Sequence, residues 1–141
     1  MSTSIEVLAY GLSAARTRMN VLASNIANAE TTKTEAGGPY KRKDVIQASV
    51  QVHSPFDSEL DKASLAQPQI AAVVEDSQEP RLVYEPGHPD ANKEGYVAYP
   101  NINLVQTMTD MMTVTRLYQA NVEAINATRE MSSAAQQIMR I

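Results

Sequence analysis

The 141-residue sequence contains no cysteine, no tryptophan and a single phenylalanine. Without thiols there is no disulfide framework, no thiolate nucleophile and no thiolate-ligated metal, and redox habit gives no clue to compartment. Without large aromatic anchors, a self-sufficient core must come from small aliphatic side chains and the seven methionines. Glycine is also scarce, at five, and all seven prolines lie between Pro39 and Pro100. The run from Asn101 to Ile141 is therefore free of both helix breakers. No stretch approaches the ~20 apolar residues of a membrane-spanning helix. The N-terminus lacks a basic segment before an apolar core, and its longest uncharged stretch, Val7 to Ala15, is short. Export, if it occurs, is expected by a route without a cleaved leader.

Net charge is missing from the two ends. Residues 1–36 carry three acids and three bases, and residues 101–141 again three of each. Residues 37–100 carry ten acids and six bases, so the whole net charge of −4 sits in the middle. That division fits ends that associate and a middle that faces water. The one basic tract, Lys41-Arg42-Lys43, is tempered by Asp44, which argues against nucleic-acid binding.

Catalytic and ligand-binding patterns are absent too. His53 and His88 lie in separate loops with no neighbouring ligands. Asp90-Ala91-Asn92-Lys93-Glu94-Gly95 begins like a calcium loop, but its twelfth position is Asn101 where a bidentate Glu is required. Asn126-Ala127-Thr128 is a glycosylation sequon placed in mid-helix. No phosphate-binding loop, dinucleotide fingerprint, nucleophile elbow or zinc-protease motif occurs. No catalytic residue, cofactor, metal or small-molecule substrate is expected.

What the sequence does contain is helical periodicity. Thr3-Ser4-Ile5-Glu6 reads as a capping box with Thr3 as the N-cap. Ile5, Leu8, Leu12, Ala15, Met19, Leu22 and Ile26 then recur by threes and fours, which predicts a helix ending near Asn28. In the C-terminal run one stripe is Leu104, Met108, Met111, Thr115, Tyr118, Val122 and Ile125. A second lies beside it, from Val114 and Leu117 through Asn121, Ala124, Thr128, Met131 and Ala135 to Ile138. Heptad spacing suits a coiled-coil seam, and two adjacent apolar faces suit contact with more than one neighbour.

Between the helices, Gly37-Gly38-Pro39 breaks the chain. Ile46, Ala48, Val50 and Val52 alternate with polar residues and predict a half-buried strand. His53 to Gln69 reads as a loop. Ile70 to Val74, Arg81 to Glu85 and Tyr96 to Tyr99 read as short strands, with Gly87 to Gly95 a loop. So short a β-rich insert holds only if it packs on the helices. The expected fold is mainly α, with long N- and C-terminal helices paired as a coiled coil and short strands in the middle. Its parts are residues 1–36 and 101–141, forming an inner coiled-coil domain, and residues 37–100, forming an outer β-rich domain.

Two stretches carry a resemblance. Ala23-Ser24-Asn25-Ile26-Ala27-Asn28-Ala29-Glu30-Thr31-Thr32 is similar to the N-terminal signature of the bacterial flagellar rod and hook proteins. Gly37-Gly38-Pro39-Tyr40-Lys41-Arg42-Lys43-Asp44 resembles the proximal-rod branch of that family. So do Tyr84-Glu85-Pro86-Gly87-His88-Pro89-Asp90-Ala91, Glu94-Gly95-Tyr96-Val97, Tyr99-Pro100-Asn101-Ile102-Asn103 and Tyr118-Gln119-Ala120-Asn121-Val122-Glu123. The resemblance covers roughly residues 1–50 and 80–141, and no role is carried onto residues 53–78. It implies a structural subunit of the flagellar proximal rod, exported by the flagellar type III apparatus and assembled across the periplasm with its own copies and sister rod proteins. The implied assembly residues are Ile5, Leu8, Leu12, Met19, Leu22, Ile26, Leu104, Met108, Met111, Tyr118, Val122 and Ile125. The rival expectation is a free-standing helical regulatory or ligand-binding protein, which would be a stable monomer or dimer on its own.

Overall fold

The structure, a computed structural model, describes residues 2–51 and 66–138. Two long helices bracket two β-hairpins. Helix α1 spans Ser2–Ala27. It begins ahead of Thr3, so the expected N-cap lies inside the first turn. Its end agrees with the expectation: the Asn28 backbone N–H donates to the Ser24 carbonyl at 3.1 Å, and the Asn28 side-chain amide donates to the same oxygen at 2.9 Å. Helix α2 spans Leu104–Ile138, which at 1.5 Å per residue is about 52 Å long. Asn103 caps it. Its Oδ1 accepts the Gln106 N–H at 3.1 Å and its carbonyl accepts the Thr107 N–H at 2.9 Å, so free donors of the first turn find partners.

The helices lie antiparallel, Met19 of α1 beside Thr115 of α2 and Gly11 beside Asn121. Along α2 the residues covered most regularly are Thr107, Met111, Val114, Tyr118, Asn121, Ile125 and Thr128. Their four-three spacing is helical, but the row takes alternate members of the two apolar stripes read from sequence. Leu104 and Met108 of the first stripe are 42% and 47% exposed, and Leu117 and Met131 of the second 52% and 64%. One reason is that Thr107, which belongs to neither stripe, occupies a covered position that hydrophobicity does not select. The Thr107, Thr115 and Thr128 hydroxyls donate to carbonyls one turn back at 2.7–2.8 Å. That satisfies the oxygen within the helix and leaves the methyl group to pack. On α1 the expected stripe is half-buried throughout, with Ala15 fully buried and Ala14 beside it.

Strands β1 (Lys43–Gln51) and β2 (Ala66–Glu75) form one antiparallel pair, from Lys43 opposite Glu75 to Gln51 opposite Ala66, with a register shift after Ile46. Strands β3 (Arg81–Tyr84) and β4 (Tyr96–Tyr99) form a second pair. The insert is thus two separate two-stranded ribbons. Two expectations are corrected. Residues Ala66 to Gln69, read as loop because of Pro68, are strand: a two-stranded ribbon has free edges, where a residue without an N–H is tolerated. The face of β1 read as half-buried is not: Ile46 is 49% and Val50 38% exposed, and Ala48 is exposed as well. Val52 and the residues read as loop from His53 to Leu65 lie outside those described. Both β1 and β2 pack on α1, as so short an insert requires.

Among the described residues the buried apolar core is small: Ala14, Ala15, Val97 and Val114. No described helix is long and apolar enough to cross a membrane.

Candidate assembly interface

The residues of the N-terminal signature form a polar joint where α1 gives way to the insert. Asn25 is 2% exposed. Its Nδ2 donates to the Lys43 carbonyl at 2.8 Å and its Oδ1 accepts the Lys43 N–H at 2.9 Å. The Tyr40 hydroxyl donates to the same Oδ1 at 3.1 Å and lies 3.2 Å from the Ser24 hydroxyl. Asn28, after terminating α1, accepts the Thr31 hydroxyl at 3.2 Å. The Thr31 carbonyl accepts the Tyr40 N–H at 3.0 Å. Between them the chain reverses at Gly37 and Gly38, both at positive φ, where the Thr34 N–H meets the Gly38 carbonyl at 2.9 Å. Ala27, at the exposed end of α1, takes no part.

The second family stretch builds the β3–β4 loop. Tyr84 and Tyr96 meet edge to face at 5.3 Å. Gly95, at φ +83°, sits beneath the Tyr84 ring, where a Cβ would come within 2.8 Å of a ring carbon. Asn92 closes the turn, its Oδ1 accepting the Glu94 and Tyr96 N–H groups at 3.0 and 2.9 Å. Tyr99 donates to Glu85 at 3.0 Å, and this bond holds the phenol pKa above its ordinary value. His88 is half-buried; its Nδ1 accepts the Asp90 N–H at 3.1 Å. Pro86, Gly87 and Pro89 line the exposed turn, Pro100 is buried, and Asn101 bonds Gln78 at 2.9 Å. One bond joins the two family stretches: the Thr32 hydroxyl donates to Asp90 at 2.8 Å. The calcium-loop look-alike is thus a hydrogen-bonded turn, and the described residues hold no metal-binding cluster.

The named helix residues divide by face. Ile5, Leu8, Leu12, Met19, Leu22 and Ile26 are half-buried on α1, as are Met111, Tyr118, Val122 and Ile125 on α2. Leu104 and Met108 look outward with Val105 and Met112, 75% and 57% exposed. Ile26, Met108, Met111, Met112, Thr115, Arg116 and Gln119 line an open apolar groove of about 690 Å³. Sequence reasoning missed Asn103 as the cap. The cap signal was there, an Asn three residues ahead of Gln106. Asn121, a member of the second stripe, is covered beside Gly11.

Two family models match the helical ends. One, described as flagella basal body rod protein, matches residues 5–33. The other, flagellar basal body rod FlgEFG protein C-terminal, matches residues 93–138. They define the class, a protein of the flagellar basal-body rod. Among whole-chain relatives, the flagellar basal-body rod protein FlgC of Borreliella burgdorferi is 37% identical, covering 98% of this chain and 97% of the relative. That of Bacillus subtilis is 39% identical over 96% and 95%, and that of Salmonella typhimurium 37% over 89% and 88%. The chain belongs to the FlgC family of flagellar basal-body rod proteins. It is a structural subunit of the basal body, not an enzyme, and it serves motility.

Proposed function

We propose that the chain is a proximal-rod subunit that packs against its own copies and sister rod proteins and passes motor torque to the hook. The observation that carries this reading is the outward side of α2. Leu104, Val105, Met108, Met112, Leu117, Met131 and Ile138 are 42% to 75% exposed on one helix. Apolar surface of that extent is a feature of interaction sites. Four-three spacing of the covered residues supports coiled-coil pairing of α1 with α2. In this reading residues 1–36 and 101–141 form the inner domain and residues 37–100 the outer one. The outward residues of α2, with Ile26, meet neighbouring subunits, while the covered stripes hold the pair together. The rod built from them crosses the periplasm. Torque passes because many interlocked apolar faces cannot slip independently.

Export through the flagellar type III apparatus suits a chain with so small a core, since little packing must be undone for passage. The test is complementation of a strain lacking its own copy. The wild-type chain restores swimming and intact rods in isolated basal bodies, and Met108→Glu with Leu117→Glu does neither although the protein is made. Normal rods from that double variant would refute the proposed surface.

A further inference from the structure

Asn25 is the most deeply buried polar side chain described, and it lies between two parts of the molecule. Its carboxamide makes two bonds to one residue of β1: Nδ2 to the Lys43 carbonyl at 2.8 Å and Oδ1 from the Lys43 N–H at 2.9 Å. A backbone residue of a neighbouring strand would make the same pair of bonds in an antiparallel ladder. Lys43 is the first residue of β1, so the contact acts at the root of the long hairpin. Just past the end of β2 the Asp76 N–H donates to the Arg42 carbonyl at 2.7 Å.

We propose that Asn25 is a positioning residue: its side chain stands in for a strand, clamps β1 to the end of α1, and sets the direction in which the hairpin leaves the helix pair. This rests on the rod reading above and deepens it, because a subunit held among neighbours by its helices needs its outer part set at a fixed angle to them. The clamp requires a group that donates with one atom and accepts with the other. Asn meets this need at any pH. Asp of the same shape meets it only when protonated, because its carboxylate cannot donate to the Lys43 carbonyl.

The charged and titratable groups around the joint are Tyr40 and Lys43 on the returning chain, with the Lys43 ammonium 5.9 Å from the Tyr40 ring centre. Next come Glu75 opposite Lys43 and the Arg42–Asp44–Asp76 group, on which Asp110 of α2 also acts. Burial and the facing carbonyl raise the pKa of an introduced Asp in the folded chain. The clamp is therefore present at low pH and lost as pH rises through that raised value.

The experiment places wild type, Asn25→Asp and Asn25→Ala in a strain lacking its own copy. Swimming and rod yield are read in media from about pH 5.5 to about pH 7.5, since a buried carboxyl titrates in that range. Wild type swims throughout, and Asn25→Ala fails throughout. Asn25→Asp gives about tenfold fewer rods at the upper end than at the lower, the scale of one unsatisfied buried acceptor. Normal rods from Asn25→Ala would overturn the proposal. So would Asn25→Asp defective to the same degree at both ends, which makes Asn25 a plain packing residue. Failure of the wild-type copy to restore rods would instead refute the rod reading itself.

Discussion

Gly95 and Gly37 have similar backbones and different surroundings. Both sit at positive φ, +83° and +85°. At Gly95 an added Cβ meets the Tyr84 ring at 2.8 Å and Pro86 at 3.3 Å, and at Gly37 it meets nothing within 4 Å. Gly37→Ala therefore carries only the backbone cost, about 1 kcal/mol. Gly95→Ala adds displacement of the Tyr84 ring and is expected to cost about 3 kcal/mol. The check is chemical denaturation of both variants, with near-ultraviolet circular dichroism following the tyrosine pair. Equal losses would mean that Tyr84 yields freely. Tyr99 offers a pH test beside it. Its phenol pKa is raised chiefly by the hydrogen bond to Glu85. A raised folded pKa means a contribution present below the unfolded pKa and lost as pH rises through the folded one. Spectrophotometric titration should show Tyr99 ionising above the ordinary phenol value, and Glu85→Ala should abolish the shift.

At the scale of elements, the two helices and the short strands were legible because each rests on local pattern: heptad spacing, and alternation between breakers. Which face of α2 is covered was not legible. The covered row runs between the two stripes and through Thr107, which belongs to neither, and only the pairing with α1 selects it. The Asn121 amide fits because Gly11 has no side chain; a Cβ there would lie 3.3 Å from Nδ2. The polar joint was legible only as a family signature, because the partner of Asn25 is a backbone group far along the chain. A substitution pair separates the faces. Leu12→Glu places a charge in the half-buried stripe of α1 and is expected to unfold the helix pair, costing roughly 3 kcal/mol. Leu117→Glu, on an exposed position, leaves the isolated chain unchanged within about 0.5 kcal/mol. Far-ultraviolet circular dichroism of the two purified chains distinguishes them, and equal loss of helix would contradict the described seam. Excisions from α2 test the same seam by phase. Removing Tyr118 to Ala127 turns every later residue by about 80°, whereas removing a heptad turns it by about 20°. The ten-residue excision should abolish rods, and a heptad removed from the same region should be the milder lesion.

For the whole molecule, the apolar core among the described residues amounts to three small residues on the helices and Val97 on β4. Ordering a residue costs about 1–2 kcal/mol in backbone entropy, so one-sided packing leaves the helices weakly held until neighbours cover their other side. Hydrogen exchange should therefore find residues 5–27 and 104–138 poorly protected in the dilute purified chain and strongly protected in isolated basal bodies. The gain should be greatest along α2, whose outward residues carry the most exposed apolar surface. Strong protection of both helices in the dilute chain would mean that the pair is already complete, and the exposed face of α2 would lose its role as the surface on which assembly depends.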